Sequence, residues 1–256
     1  MEAIEVELGR TVARVLVETA GMRRRQIGRE LRRLFGGRCA AGPFRGMLLP
    51  EAASWGDGDL APKLLGAYES ELHPALERAF ARAPDLVVDV GCAEGWYAVG
   101  AALRLPGRIV HAFDLDEKAL AICGEAARLN GVAERLRLER RCDADRLVVL
   151  VTGAERPFVI LDCEGFEREL LTPSTVPALA RAELIVECHD FLEPGLCERL
   201  AALLRPTHEV EILREGARDP GAWPVLEKLG SLDRWLAVCE FRPNLMRWIV
   251  ARPRAS

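Results

Sequence analysis

Short apolar runs that stop at an acidic residue recur along the middle of the chain. Leu86-Val87-Val88 ends at Asp89, Ile109-Val110-His111-Ala112-Phe113 at Asp114, Pro157-Phe158-Val159-Ile160-Leu161 at Asp162, and Leu184-Ile185-Val186 at Glu187. Near-continuous apolar runs of this length read as strands buried on both faces of a parallel sheet. Between them the period changes to that of a helix, through Ala98, Ala101, Ala102 and Leu105. It does so again through Ala119, Leu120, Cys123, Ala126, Ala127 and Leu129, with Asn130-Gly131 as a helix stop. Alternation of this kind predicts an α/β sheet with helices on its faces. Leu136 to Arg140 is mixed in character and suits a sheet edge. A helix from Pro194 to Leu204 and strands at 208–213 and 246–250 complete the pattern, the last two as an antiparallel hairpin. Their connection runs to about 30 residues where ~2 to 5 would suffice, so 216–243 is an insertion. Its Arg218, Asp219, Trp223, Glu240 and Arg242 are candidates for a substrate-binding element, with a structural helix as the alternative.

The first 60 residues have a different texture. Ile4, Leu8, Val12 and Val15/Leu16 predict an amphipathic helix over 2–20 that ends near Gly21. Arg23-Arg24-Arg25, Arg29, Arg32 and Arg33 follow, either a solvated face or an arm for an anionic substrate or membrane surface. Periodicity then stops from Gly36 to Gly58, a long loop of the kind that often serves as a lid, with Trp55 as its anchor or a substrate platform. A helix is expected from Pro62 to Phe80, carrying Tyr68 and Glu69 toward a ligand. The expected division is a helical extension and loop at 1–60, then an α/β domain at 61–256.

Composition narrows the classes. Half of the 256 residues are apolar, enough for a sizeable core. No apolar run approaches the roughly 20 residues that span a bilayer, and no secretory h-region is evident, so a cytoplasmic protein is expected. Eight cysteines without a CxxC read as reduced thiols, and a net charge of -4 argues against non-specific nucleic-acid binding.

The candidate chemistry centres on Asp89-Val90-Gly91-Cys92-Ala93-Glu94-Gly95, where the first strand turns into a helix. Open α/β sheets bind nucleotide-like ligands at such turns. The middle glycine of G-x-G-x-x-G is missing, and Glu94 would repel a pyrophosphate. A cationic ligand without phosphate fits better, and S-adenosylmethionine is one. An acid at the end of the second strand, Asp114, with Leu115 beside it and Asp116 near, is placed to bind ribose hydroxyls.

With these pieces in order, the chain resembles the FkbM-like class I methyltransferases. The matching residues are Val88-Asp89-Val90-Gly91 with Gly95-Trp96-Tyr97, Ala112-Phe113-Asp114, Asp162-Cys163-Glu164-Gly165-Phe166-Glu167 followed by Leu170-Leu171, and Ile185-Val186-Glu187-Cys188-His189. The resemblance implies a Rossmann-like seven-stranded, mostly parallel sheet with an antiparallel last strand, in which the first, fourth and fifth strands are neighbours. It implies O-methylation of a sugar or other secondary-metabolite hydroxyl, of the kind made in bacterial secondary metabolism. Asp89, Gly91, Cys92, Ala93, Glu94, Gly95, Asp114, Leu115, Asp143, Ala144 and Asp162 are then the cofactor residues. Asp89 and Glu94 fall at its methionine end, and Asp143 at the adenine amino group or, equally, at a helix N-cap. Two acidic clusters would face each other at the methyl group, with His189, Asp162, Glu187 and Glu164 as catalytic candidates. His189 has the right ordinary pKa for a general base. Asp162, Glu164, Glu187, His189 and Asp190 could instead hold a divalent ion such as Mg²⁺, as in macrocin-type sugar O-methyltransferases. Cys92, Cys163 and Cys188 are a thiolate site or, more economically, small buried side chains. The expected partner is a small-molecule acceptor, neither nucleic acid nor membrane, with homo-oligomers left open. An NAD-dependent oxidoreductase and a non-catalytic cofactor-binding protein are the rival classes.

Overall fold

The computed structural model describes residues 2–52, 59–242 and 244–254, without the side chains of 2–8 and 10. Trp55 and the Gly56-Asp57-Gly58 turn lie outside the described residues. The chain forms two compact units, one of residues 1–46, 55–68 and 217–241, the other of 47–54, 69–216 and 242–256.

The larger unit is the sheet. Its strands are β1 (Leu86–Val90), β2 (Val110–Phe113), β3 (Leu136–Glu139), β4 (Pro157–Leu161), β5 (Glu183–Cys188), β6 (His208–Arg214) and β7 (Arg247–Pro253), in the order β3-β2-β1-β4-β5-β7-β6. β1 to β5 run parallel, and β7 pairs antiparallel with both β5 and β6. This is the Rossmann-like topology of class I methyltransferases, with β1, β4 and β5 adjacent as expected. The apolar runs read as buried strands because they are: β4 and β5 are buried at every position. β3 is the edge, with only Leu136 of its residues buried. Helix α3 (His73–Ala81) leads into β1, and α4 (Trp96–Arg104), α5 (Glu117–Leu129), α6 (Ala144–Thr152), α7 (Glu167–Leu170) and α8 (Leu196–Leu204) connect the strands. Asp116 and Asp143 cap α5 and α6 by accepting the N–H of Lys118 and of Arg146 at 2.8 and 2.9 Å.

The smaller unit is helical: α1 (Glu2–Phe35), α2 (Leu60–Leu65) and α9 (Ser231–Val238). Two expectations fail in and beside it. Gly21 does not end the first helix, which runs unbroken to Phe35; one interior glycine costs only about 1 kcal/mol relative to alanine, and burial of Ile27 and Leu31 further along outweighs it. The helix expected from Pro62 to Phe80 is interrupted at Gly66, whose φ of 72° brings it so close to Ala41 that a Cβ would lie 2.1 Å from the Ala41 carbonyl oxygen. Tyr68 therefore belongs to the helical unit and Glu69 to the sheet unit. Most of the polar insertion residues brace the helical unit itself. Arg218 Nε donates to the Ala67 carbonyl at 3.0 Å and its guanidinium pairs with Glu240, while Trp223 Nε1 donates to the Leu65 carbonyl at 3.0 Å. Among the described residues, no helix is long and apolar enough to cross a membrane.

Candidate active site

The turn after β1 is tied down by its own backbone. The N–H groups of Gly91 and Cys92 donate to the Phe113 carbonyl at 2.8 and 2.9 Å, and that of Gly95 to Cys92 at 2.7 Å. The Ala93 N–H donates to Asp114 Oδ2 at 2.8 Å, and Oδ1 accepts the Asp116 N–H at 2.9 Å. With these donors engaged, the loop is no cradle for diphosphate. Both glycines are dictated by packing: a Cβ on Gly91 would lie 1.6 Å from the Asp162 carbonyl oxygen, and one on Gly95 2.6 Å from Cys123 Sγ, at φ of 86° and 90°. Gly91 thus serves the close approach of two strand-end loops.

Asp89 is 1% exposed, and among the described residues neither carboxylate oxygen has a hydrogen-bond partner of good geometry, although the Ala98 N–H acts to favour its charge. Burial, helped by Asp114 and Glu69, pushes it up to about 7. A buried orphan acid beside a tight turn fits the ammonium of a bound amino acid, as in the methionine end of S-adenosylmethionine. Leu115, beside Asp114, is 70% exposed, an apolar surface that an adenine ring would cover. Asp143 and Ala144 line a cavity of about 730 Å³ together with Arg141, Glu164, Gly165, Phe166, Arg168, Glu169 and Leu192. Asp143 caps α6, the second of the two roles weighed from sequence.

The two acidic clusters do converge. His189, buried at the end of β5, points Nε2 at Asp162 Oδ1 (3.6 Å) and Glu164 Oε2 (3.4 Å). Its Nδ1 stands 3.1 Å from Oε1 of Glu167, a fully buried carboxylate that also accepts the Cys163 N–H at 2.8 Å. The approach has ion-pair distance, although the ring N–H is not aimed squarely at the oxygen. Burial pulls the His189 pKa down, but the Glu167 carboxylate outweighs it and the net shift is upward; Glu167 moves down in turn, against its own burial.

Glu187 is buried too. Arg242 Nη1 donates to it at 2.7 Å, and Arg242 Nη2 pairs with Glu69, which also accepts from the Tyr97 hydroxyl. Desolvation and the neighbouring Asp162 push Glu187 up to about 8, and loss of water with the charge of Glu69 holds Asp162 well above the usual carboxylate range. Donor atoms of Asp162, Glu187 and His189 lie within 4.8 Å of one another. Of the five non-glycine residues in the left-handed region among the described residues, Glu69, Ala93 and Glu164 belong to this site, and strain of that kind gathers where function over-determines the backbone. Asp190 stands apart, bound to Arg247 at 2.8 Å and to the Cys197 N–H at 3.2 Å.

Glu167 had no role in the sequence reading, although it closes the D-x-E-G-x-E segment. Tyr97 was likewise only part of a motif, and Arg242 was one of several insertion residues. Cys92, Cys163 and Cys188 all have thiol pKa values raised by burial and by neighbouring thiols or acids, as small core side chains do.

Residues 74–152, from α3 through α6, match the family model of ribosomal protein L11 methyltransferase. The matched segment contains the turn after β1 and the acid that follows β2. No curated protein matches the chain. Among solved structures it is similar to a precorrin-6y C5,15-methyltransferase from Geobacter metallireducens (14% identity, 73% of this chain and 91% of that one, TM-score 0.47). An rRNA methylase from Streptococcus thermophilus (14%, 72% and 98%, TM-score 0.47) and a precorrin 8W decarboxylase from Methanobacterium thermoautotrophicum (21%, 69% and 87%, TM-score 0.45) are similar as well. These likenesses say nothing about the acceptor used by this chain.

Proposed function

We propose that this methyltransferase acts on a hydroxyl of a small-molecule acceptor, such as a sugar or other secondary metabolite, with His189 as the general base. The observation that carries the proposal is the buried Glu167–His189 pair, which turns Nε2 toward Asp162 and Glu164 at the mouth of the cofactor turn. S-adenosylmethionine supplies an electrophilic methyl group when bound, and Asp89, Asp114, Leu115 and the 91–95 turn are the residues that would hold it. Glu167 favours the tautomer with the proton on Nδ1, which leaves the Nε2 lone pair to take the acceptor's hydroxyl proton. Asp162 and Glu164, on the same side of the ring, are placed to hold the acceptor. Arg242 neutralises Glu187 and Glu69, so the floor of the site does not carry the full charge of both.

A divalent ion among Asp162, Glu187 and His189 is the second reading, favoured by the closeness of their donor atoms. Against it, Glu187 is already bonded to a guanidinium, which a cation would have to displace or repel.

Methyl transfer assayed against glycosides, phenols, ribosomal protein L11 and rRNA tests the proposal. The last two belong in the panel because the matched family model and one similar structure are named for them. Turnover confined to hydroxylic small molecules supports the proposal; turnover confined to protein or RNA overturns it.

A further inference from the structure

The end of the sheet opposite the catalytic residues holds a second cavity. It has a volume of about 680 Å³ and lies at the amino ends of β4 and β5, where Glu183 opens the strand that Glu187 and Cys188 close. Five arginines line it: Arg78 from α3, Arg82 just after α3, Arg181 ahead of β5, Arg252 from β7 and Arg254 just beyond β7. All of them lie in the sheet unit, brought together from distant parts of the chain by the return of β7 alongside β5. In a chain whose net charge is -4, this is a local concentration of positive charge.

Glu183 forms the buried part of the wall. It is 4% exposed, its Oε2 accepts from Arg82 Nη1 at 3.1 Å, and its Oε1 has no hydrogen-bond partner among the described residues. Burial pushes its pKa up, although Arg82, Arg78 and Arg252 all pull it down. Three guanidiniums thus act on one carboxyl that is only half satisfied, and a buried acceptor destabilises a fold until something donates to it. The arginines are equally underused. Arg252 gives Nη2 to Glu209 at 3.1 Å, Arg78 stays 3.8 Å from Glu211, and Arg254 spends Nε on the Arg205 carbonyl at 3.1 Å. A guanidinium carries five N–H donors, and these contacts occupy only a few of them.

The chemistry of the wall selects the ligand. The two coplanar oxygens of a carboxylate match a single guanidinium fork, whereas the three outward oxygens of a phosphate monoester accept from several guanidiniums arriving from different directions. The cavity far exceeds a phosphate ion and falls in the range that holds a small molecule. Glu183 Oε1 lacks a donor, and a hydroxyl on the same molecule supplies one. A nucleic-acid strand suits the cavity poorly, because Glu155 and Glu209 stand exposed on its wall and would repel a continuous phosphate backbone.

We propose that this cavity binds a small phosphate ester that also carries hydroxyl groups, of the sugar phosphate type, with the arginines on the phosphate and Glu183 on a hydroxyl. The site lies at the far end of the sheet from the methyl-transfer residues and stands whether or not the acceptor chemistry above is right.

Calorimetric titration of the full chain with glucose 6-phosphate, ribose 5-phosphate and methyl phosphate, with and without S-adenosylhomocysteine, tests it. At least one of the sugar phosphates is expected to bind tenfold or more tightly than methyl phosphate, with no competition from S-adenosylhomocysteine. R181A/R254A should weaken that binding at least tenfold while the thermal unfolding midpoint holds, since both side chains are exposed. E183A should narrow the preference over methyl phosphate and leave methyl phosphate binding in place. No binding of either sugar phosphate, affinity no better than that of methyl phosphate, displacement by S-adenosylhomocysteine, or binding indifferent to R181A/R254A would each overturn the proposal. So would an RNA oligonucleotide that binds more tightly than the sugar phosphates and is lost with the same two arginines.

Discussion

Oε1 of Glu167 lies 3.1 Å from Nδ1 of His189, and the pair is buried between the loop after β4 and the end of β5. Two strand-end loops that the sequence separates by about twenty residues are thereby joined through one carboxylate and one imidazole.

His189→Ala should leave S-adenosylhomocysteine affinity within about twofold of wild type and lower kcat by ~10² to 10⁴, the usual contribution of a positioned base. Calorimetry and steady-state rates read the two separately. Equal loss of both would mark the residue as structural.

The pair also sets a pH dependence. Glu167 raises the His189 pKa above its ordinary 6.5, and the base works only when deprotonated, so turnover should rise with pH along a limb centred above 6.5. Glu167→Gln removes the charge that favours the imidazolium, and the limb should move to lower pH as the plateau falls. An unmoved limb in that variant would mean that Glu167 does not act through His189. For stability the signs are opposite. The raised His189 pKa contributes stability that is complete below 6.5 and lost as pH rises through the folded value. The lowered Glu167 pKa contributes stability present above 4.5 and lost as pH falls through its own folded value.

Asp89→Asn should bind S-adenosylhomocysteine at least tenfold more weakly and yet fold more stably. The native carboxyl is raised from 3.8 to about 7, so it costs stability progressively as pH rises between those values. Removing the charge should return on the order of a few kcal/mol above neutrality and little near pH 4. Urea denaturation at several pH values reads the difference, and a variant less stable at all of them contradicts it.

Gly95→Ala should destabilise the fold by about 3 kcal/mol, combining a left-handed φ with the clash against Cys123 Sγ. Much of the clash term should vanish in a Cys123→Ala background, giving a coupling of ~0.5–3 kcal/mol in a double-mutant cycle. Additive effects would mean that the sulfur is not what excludes the side chain.

The sheet was legible because both-face burial leaves an unmistakable mark: uninterrupted apolar runs at 86–88, 157–161 and 184–186, each stopped by an acid at the carboxyl end. Asp114, Asp162, Glu187 and His189 could be placed at the site for the same reason, since strand ends are where such folds collect their chemistry. The pairing partners were not legible. Glu167 reaches His189 only because Glu164 and Gly165 both take left-handed backbone, φ 53° and 91°, and turn the chain back on itself. Arg242 lies 55 residues beyond Glu187, and no local pattern announces that separation. In the helical unit, periodicity located α1 but placed its end at Gly21, because a glycine signals a stop only when tertiary burial beyond it is absent. The break at Gly66 went unseen for the converse reason, since the approach of Ala41 that demands a glycine is a long-range contact.

Calorimetric titration with S-adenosylhomocysteine tests the central claim most directly, carried out on wild type, Asp114→Ala and His189→Ala. The account predicts binding by wild type, retention by His189→Ala, and loss of at least tenfold in Asp114→Ala. Absence of binding by well-folded wild type, or binding unaffected by Asp114→Ala, would contradict it.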